Sequence, residues 1–331
     1  MTKTIVLFNN KGGVGKTTFL FHLGYALERL GKKILFVNAD PQCSLTSYIC
    51  TNDEIEKYWN SKCSLYNVIE PLVKGSGDIK EVSPYIVKDR NIRLIVGDVL
   101  LSSFEPLLSS TWVESLAGEE KGFRISSAIY RAFQKIASDN TLDYVLIDVG
   151  PNLGSLNRSI LLSCDYFLIP IIPDMFSLRG LSNIGSTFSK WIINWADAKK
   201  RFEKDVETLP FGIQSGRPAF AGIINQQFNI SGGKITRSFK YWADESKPVI
   251  EEKIINVFEK LGDDMLVDLN GGSYQLGDFK NYHGLAADSQ KYKKPISELK
   301  GVAGVNPGNA HSFKTNESEF RKVATRIIEK T

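Results

Sequence analysis

Three glycines in four positions, followed by a lysine and two threonines, restrict this chain more than any other feature of its sequence. The stretch reads Asn9-Asn10-Lys11-Gly12-Gly13-Val14-Gly15-Lys16-Thr17-Thr18. Before it stands a short apolar run, Ile5-Val6-Leu7-Phe8, and after it Phe19, Leu20, Leu23, Leu27 and Leu30 recur at helical steps. The spacing predicts strand, glycine loop and helix. Glycine permits backbone conformations closed to other residues, so the loop can turn its N–H groups toward one anion, and the helix N-terminus adds its positive dipole end. The stretch therefore reads as a phosphate cradle formed by Gly12, Gly13, Val14, Gly15, Lys16, Thr17 and Thr18. Lys16 supplies charge for the outer phosphates, and the Thr17 hydroxyl is placed to hold Mg2+.

The general phosphate-loop pattern wants glycine where this chain has Asn10, whereas the variant Lys-Gly-Gly-x-Gly-Lys-Thr is matched completely and headed by Lys11. That variant resembles the deviant Walker A motif of the ParA/MinD family, which also includes the nitrogenase iron protein. The resemblance implies ATP and Mg2+ as ligands, and a dimer in which Lys11 reaches the partner subunit's nucleotide.

Further along, Ile34-Leu35-Phe36-Val37-Asn38 is a short apolar strand leading into Ala39-Asp40-Pro41-Gln42. A carboxylate at the carboxyl end of a parallel strand sits where open α/β sheets bind ligands. Asp40 there can position the attacking water or a magnesium-bound water. The family carries Asp-x-Asp-Pro-Gln at this place; the second aspartate is kept as Asp40, and the first is replaced by Asn38. Leu142 to Asp148 reads as a buried strand delivering Asp148 to the same edge, a Walker B arrangement in which Asp148 holds magnesium through water and complements Thr17. Asp165 to Pro170 is a further strand, followed by Pro173-Asp174 and Ser177-Leu178-Arg179-Gly180-Leu181, which resemble the family's loop and helix beside the nucleotide. Ala221 to Asn225 reads as another core strand. By resemblance Asn225 reads the adenine edge, an amide pairing a donor with an acceptor as adenine does.

Between these landmarks Ser64 to Val73 and Arg124 to Ser138 carry helical patterns, and Ile92 to Asp98 a strand and turn. Trp191 and Trp195 suit packing, and Lys199-Lys200-Arg201 suits a solvated last helical turn. From Ser231 the resemblance thins, with a helical pattern over Val249 to Leu261. Residues 231–310 are expected to be a family-variable elaboration. A C-terminal helix over 316–330 is expected to open on a capping box at Asn316-Glu317-Ser318-Glu319, with Phe320, Val323, Ala324, Ile327 and Ile328 on one face.

Composition narrows the classes. With 331 residues, 42% of them hydrophobic, the chain can bury a large core. The chain enters a strand almost at once, and no run reaches the ~18 to 20 apolar residues of a bilayer span, so a cytoplasmic location is expected, in association with the nucleoid if DNA is bound. Cys43, Cys50, Cys63 and Cys164 lack the spacing of a metal or cluster site, which argues against an iron-protein-like role. Net charge is only +4, but residues 291–331 hold nine Lys/Arg against four Asp/Glu, and such a basic face suits polyanion contact.

The expectation is one P-loop ATPase domain over 1–331, with its nucleotide core mainly in 1–50 and 140–225. Its architecture is α/β, a doubly wound, mostly parallel sheet flanked by helices. By resemblance it acts as a ParA-like switch: ATP favours a homodimer, the dimer binds DNA without sequence preference, and an adaptor protein stimulates a slow hydrolysis, in plasmid or chromosome partition. The alternative keeps the switch for another cargo: a protein assembly, a defence complex or a MinD-like membrane site. The tail is weak material for membrane anchoring.

Overall fold

The computed structural model describes the chain apart from residues 1, 203–205, 229 and 232–233. β1 (Lys3–Leu7) passes through the glycine loop into α1 (Lys16–Arg29) and back to β2 (Ile34–Asn38). Short helices α2 (Ser44–Ile49), α3 (Asn52–Asn60) and α4 (Leu65–Val73) precede β3 (Tyr85–Ile86) and β4 (Ile92–Ile95). Next come α5 (Phe104–Ala117), α6 (Glu120–Ser126) and α7 (Ala128–Asp139), then β5 (Tyr144–Asp148), α8 (Ser155–Leu161) and β6 (Tyr166–Ile171). The long α9 (Met175–Arg201) leads to β7 (Ala219–Phe228) and the small pair β8 (Ile230–Ser231) and β9 (Lys234–Ile235). The last third holds α10 (Arg237–Ile250), α11 (Asn256–Glu259), β10 (Gln275–Lys280), α12 (Gly284–Tyr292) and α13 (Ala310–Lys330).

One eight-stranded sheet runs in the order β10-β7-β6-β1-β5-β2-β4-β3, parallel throughout except for β3 against β4. This is the expected doubly wound, mostly parallel architecture, and it explains why the strands read as unbroken apolar runs: both faces are covered. Leu35 and Val37 join one core, with α4 through α9, while Ile34 and Phe36 join the other, with α1, α2 and α13. Because every parallel strand ends at the same edge, β1, β2 and β5 bring the glycine loop, Asp40 and Asp148 together.

Several boundaries differ from the sequence expectation. The helix read over Arg124 to Ser138 breaks at Ser127 into α6 and α7. The pattern at Val249 to Leu261 belongs to a longer run from Arg237 to Glu259 that carries Pro248 inside α10 and a π-turn over Glu251–Ile255. At that turn α9 passes so close that a Cβ on Gly185 would stand 1.9 Å from the Lys253 carbonyl oxygen. The C-terminal helix begins at Ala310 rather than 316, so the expected capping box is absent: Asn316 lies buried inside the helix, one turn after Phe313. The apolar face simply extends further toward the N-terminus than the polar Asn-Glu-Ser-Glu segment suggested.

That face is buried. Phe320 of α13 meets Phe19 of α1 and Phe279 of β10, each at 4.9 Å between ring centroids. It is therefore packing surface and not a free amphipathic anchor. Trp195 is fully buried, as packing predicts, and Lys199 and Arg201 donate to the Ser215 and Leu116 carbonyls. Among the described residues no helix is long and apolar enough to cross a membrane.

Candidate nucleotide-binding site

The loop after β1 has the shape its glycines allow. Gly13 and Gly15 have φ of +71° and +84°, where an L side chain is strained, and Gly15 caps α1. Gly12 differs: its φ is not positive, and a Cβ there would meet nothing within 4 Å. The N–H groups of residues 12–18 have no acceptor among the described residues, so the concave side of the loop offers a set of unsatisfied donors.

Charged and hydroxyl groups converge on the same cleft. It encloses ≈ 410 Å3 between Gly12–Thr18, Asp40, Gln42, Ser44, Tyr48, Pro151, Gln227 and Gln290. Lys16 is buried, and its ammonium donates to the Asn9 carbonyl at 3.2 Å. Burial pushes that ammonium's pKa down, and Asp148 and Asp40 act against the shift. The Thr17 hydroxyl lies 2.9 and 3.1 Å from the two Asp148 carboxylate oxygens. Asp148 is almost wholly buried; desolvation raises it to about 7, Asp40 adds to the rise, and the Thr17 hydroxyl and Lys16 oppose it. A buried carboxylate with a hydroxyl in contact forms an oxygen donor set that suits a hard divalent cation. The residues present therefore fit Mg2+.

Asp40 is held by its neighbours. Its Oδ1 accepts from Gln42 N at 3.0 Å, and its backbone carbonyl accepts from Asn38 Nδ2 at 2.7 Å. Asn38 itself is fully buried, with Oδ1 accepting from the Thr46 amide and hydroxyl. The amide is thus satisfied on both ends and does not line the cleft. An aspartate here would set a carboxylate oxygen against the Asp40 carbonyl, so the departure from the family's Asp-x-Asp suits this chain's own hydrogen bonds.

Lys11 stands apart from the cradle. Its ammonium forms an ion pair with Asp174, whose Oδ1 caps α9 by accepting from Ser177 N at 2.7 Å. Partial burial works to raise Asp174, but Lys11 and Ser177 outweigh it and hold the carboxyl below its ordinary value.

Asn225 does not join the other expected residues. Along β7 successive side chains alternate between faces as far as Gln226, and a φ of +60° at Gln227 then breaks the alternation. Gln226, on the α1 side, lies next to Gly15, where an added Cβ would come within 3.3 Å of Oε1. Gln227 Nε2 donates to the Gly13 carbonyl at 2.7 Å. Asn225 faces the opposite side and donates to Asp278 Oδ1 at 2.7 Å. Gln227 and Gln290 were not singled out from the sequence. Gln227 reaches the loop through its left-handed backbone, which no local pattern announces, and Gln290 reaches the cleft because α12 packs on α2.

Comparison with known proteins agrees with this geometry. A family model described as "AAA domain" matches residues 2–200. The sporulation initiation inhibitor protein Soj of Bacillus subtilis is 31% identical over 187 residues, 56% of this chain and 65% of its own length. The chromosome partitioning protein ParA of Caulobacter vibrioides is 28% identical over 193 residues, 57% of this chain and 62% of its own. The matches thus span less than two thirds of those relatives. Among solved structures, protein DIP2308 of Corynebacterium diphtheriae superposes with a TM-score of 0.71 at 25% identity, covering 88% of this chain and 97% of that one. A putative plasmid partition protein of Borrelia burgdorferi bound to AMPPNP gives 0.58 at 20% identity, covering 99% of both. On its loop, its sheet and its matched core, the chain belongs to the ParA/MinD family of P-loop ATPases.

Proposed function

We propose that this chain is a Mg2+-dependent ATPase that works as a dimerisation switch, with ATP favouring a homodimer that binds DNA without sequence preference. The observation that carries the reading is the separation of its two lysines. Lys16 lies inside the cradle of unsatisfied N–H donors, while Lys11 stands at the rim, where it can serve a second subunit's nucleotide. Exposed Val99, Leu100, Met175 and Phe176 follow β4 and β6 at the same sheet edge, apolar surface that a face-to-face partner would cover.

In this reading Thr17 and Asp148 hold the metal, which supplies charge neutralisation on the phosphates. The loop N–H groups and Lys16 bind and orient the triphosphate. Asp40, fixed through Asn38 and Gln42, orients the attacking water and holds its proton. Release of Lys11 from Asp174 accompanies dimer formation. Exposed Lys291, Lys294, Lys300, Lys314, Arg321, Lys322 and Lys330 give the C-terminal third its basic surface for DNA phosphates, and binding there falls steeply with salt. An adaptor protein speeds hydrolysis and so times release, in plasmid or chromosome partition.

The test is binding of nonspecific duplex DNA at low and moderate salt with no nucleotide, ADP or ATP, using wild type and Lys16→Ala. Salt-sensitive binding that appears with ATP and is lost in Lys16→Ala is expected. ATP turnover without DNA binding in any state would sink the DNA reading and turn attention to a protein cargo. The buried apolar face of α13 speaks against a membrane.

A further inference from the structure

Outside the phosphate cleft, a relay of hydrogen bonds runs from the end of β4 to Asp40. The loop that leaves β4 turns at Gly97, whose amide donates to the Thr46 hydroxyl at 2.9 Å. That hydroxyl donates to Asn38 Oδ1 at 3.0 Å, the Thr46 amide meets the same oxygen at 2.9 Å, and Asn38 Nδ2 donates to the Asp40 carbonyl at 2.7 Å. Thr46 and Asn38 are fully buried, and neither they nor Gly97 line the cleft.

The relay has a direction. An amide N–H only donates, so the Thr46 oxygen accepts from Gly97 and its proton is left for Asn38. Two donors from Thr46 then hold Oδ1 toward α2, and the NH2 of Asn38 has to face Asp40. Bonds aligned in this way polarise one another, and removing one leaves a buried group unpaired. Space is as constrained as polarity: a Cβ on Gly97 would stand 2.7 Å from Asn38 Cγ, although Gly97 has no positive φ. The loop is pinned in turn by Trp59 Nε1 on the Gly97 carbonyl at 2.9 Å and by Ser64 Oγ on Asp98 Oδ2 at 2.7 Å. At the far end Cys43 N joins Asn38 Nδ2 on the Asp40 carbonyl, and Gln42 N holds Oδ1. Among the described residues Oδ2 is the Asp40 carboxylate oxygen without a partner.

With Asp40 read as the residue that orients the attacking water, on which this step rests, we propose that Thr46 is a positioning residue for hydrolysis. Its hydroxyl fixes the Asn38 amide, the amide fixes the Asp40 backbone, and Oδ2 is thereby aimed at the water. A misplacement of about 1 Å in such a group costs up to about 100-fold in rate. Nucleotide binding belongs instead to the loop N–H groups and Lys16, to which the relay makes no hydrogen bond.

Steady-state ATP hydrolysis by the full chain tests the proposal, with kcat and KM taken at one protein concentration. Thr46→Val removes the hydroxyl and keeps the shape; kcat is expected to fall at least about tenfold, with KM within about twofold of wild type. Thr46→Ser keeps the hydroxyl and should recover most of the loss, whereas a role in packing alone would favour Thr46→Val. Gly97→Ala leaves every hydrogen-bonding group in place and presses on the Asn38 amide. It should lower kcat in the same way, and it decides the matter even where Thr46→Val does not fold. Asp40→Asn separates the relay from the reading beneath it. Wild type without turnover, or Asp40→Asn as fast as wild type, would remove that reading and the relay with it. A slow Asp40→Asn beside Thr46→Val or Gly97→Ala at the wild-type rate would overturn the relay alone. So would Thr46→Ser no faster than Thr46→Val, or a raised KM at unchanged kcat.

Discussion

The phosphate-loop half and the C-terminal third contribute to the same structure by opposite routes. In the first, ten consecutive residues, Asn9 to Thr18, carry most of the chemistry, and the strand ends of β2 and β5 add one carboxylate each. In the second no short run matters alone. His22 of α1 accepts from the Ile296 amide at 3.1 Å, Glu298 meets both Arg29 and Arg90, and Phe320 closes an aromatic cluster with Phe19 and Phe279. The helix that starts at the phosphate loop is therefore clasped along its length by residues about 300 positions later. Phosphate chemistry can be written locally because backbone N–H groups do it, whereas a clasp needs only complementary surfaces, which many sequences provide.

The largest effect should come from breaking the clasp. Phe320 is nearly fully buried, and Phe320→Ala leaves a cavity against α1 that is expected to cost about 3–5 kcal/mol. Denaturant unfolding checks this, with one probe on α1 and one on α13. A single shared transition shifted by that amount fits a clasp belonging to the core. A loss under about 1 kcal/mol, or two separate transitions, would make the C-terminal third an appendage.

The same contrast explains what the sequence shows of this molecule. The sheet could be read because strands buried on both faces leave solid apolar runs such as Val145-Leu146-Ile147, and Asp40 and Asp148 because each ends such a run. Asn38 could be noticed as a departure, but its role rests on Thr46, eight residues on, which only the fold shows. Asn225 was read by its place at a strand end, while its direction depends on the pleat and on an irregularity in the β6–β7 register. The start of α13 was hidden because Asn309 and Pro307 precede it without a strong apolar rhythm, and Asn316 looks like a cap although it is buried. Gln290 has no local signal at all.

Next in size is a proton. The Asp148 carboxyl rises from its ordinary 3.8 to about 7 on folding, so between those values the folded chain holds a proton that the unfolded chain has lost. Its contribution to stability is then present at low pH and declines as pH rises toward 7. His22 runs the other way: burial lowers it to about 4, so its contribution is full above about 6.5 and is lost as pH falls. The two slopes oppose each other, and a stability profile alone would blur them. Mg2+ separates them, because it needs the ionised carboxylate, whereas His22 hydrogen-bonds only with the Thr18 carbonyl and the Ile296 amide and contributes no group to the metal. Titration of Mg2+ with nucleotide in buffers of different ionisation enthalpy should show up to about one proton released at pH 6 and close to none at pH 8.5. Asp148→Asn should remove the carboxyl's share of that release and leave only the proton that the nucleotide's own terminal phosphate gives up. Release unchanged by the substitution would remove Asp148 from the metal site.

The smallest effect bears on whether the C-terminal third enters the chemistry or only supports it. Gln290 is the part of that region that lines the phosphate cleft, carried there by α12 against α2 and fastened by Lys293, whose ammonium meets the Ser47 carbonyl. A neutral amide of this kind contributes about 0.5–1.5 kcal/mol through a hydrogen bond, so Gln290→Ala should raise the KM for ATP about two- to tenfold. If the contact is made equally with bound substrate and with the transition state, kcat stays unchanged. A fall in kcat at constant KM would instead place Gln290 among the groups that act on the reacting phosphate, and the clasp would have to be counted as part of the catalytic machinery. No change in either would confine the C-terminal third to holding α1 in place, leaving nucleotide recognition to the loop and to the strand ends of β2, β5 and β7.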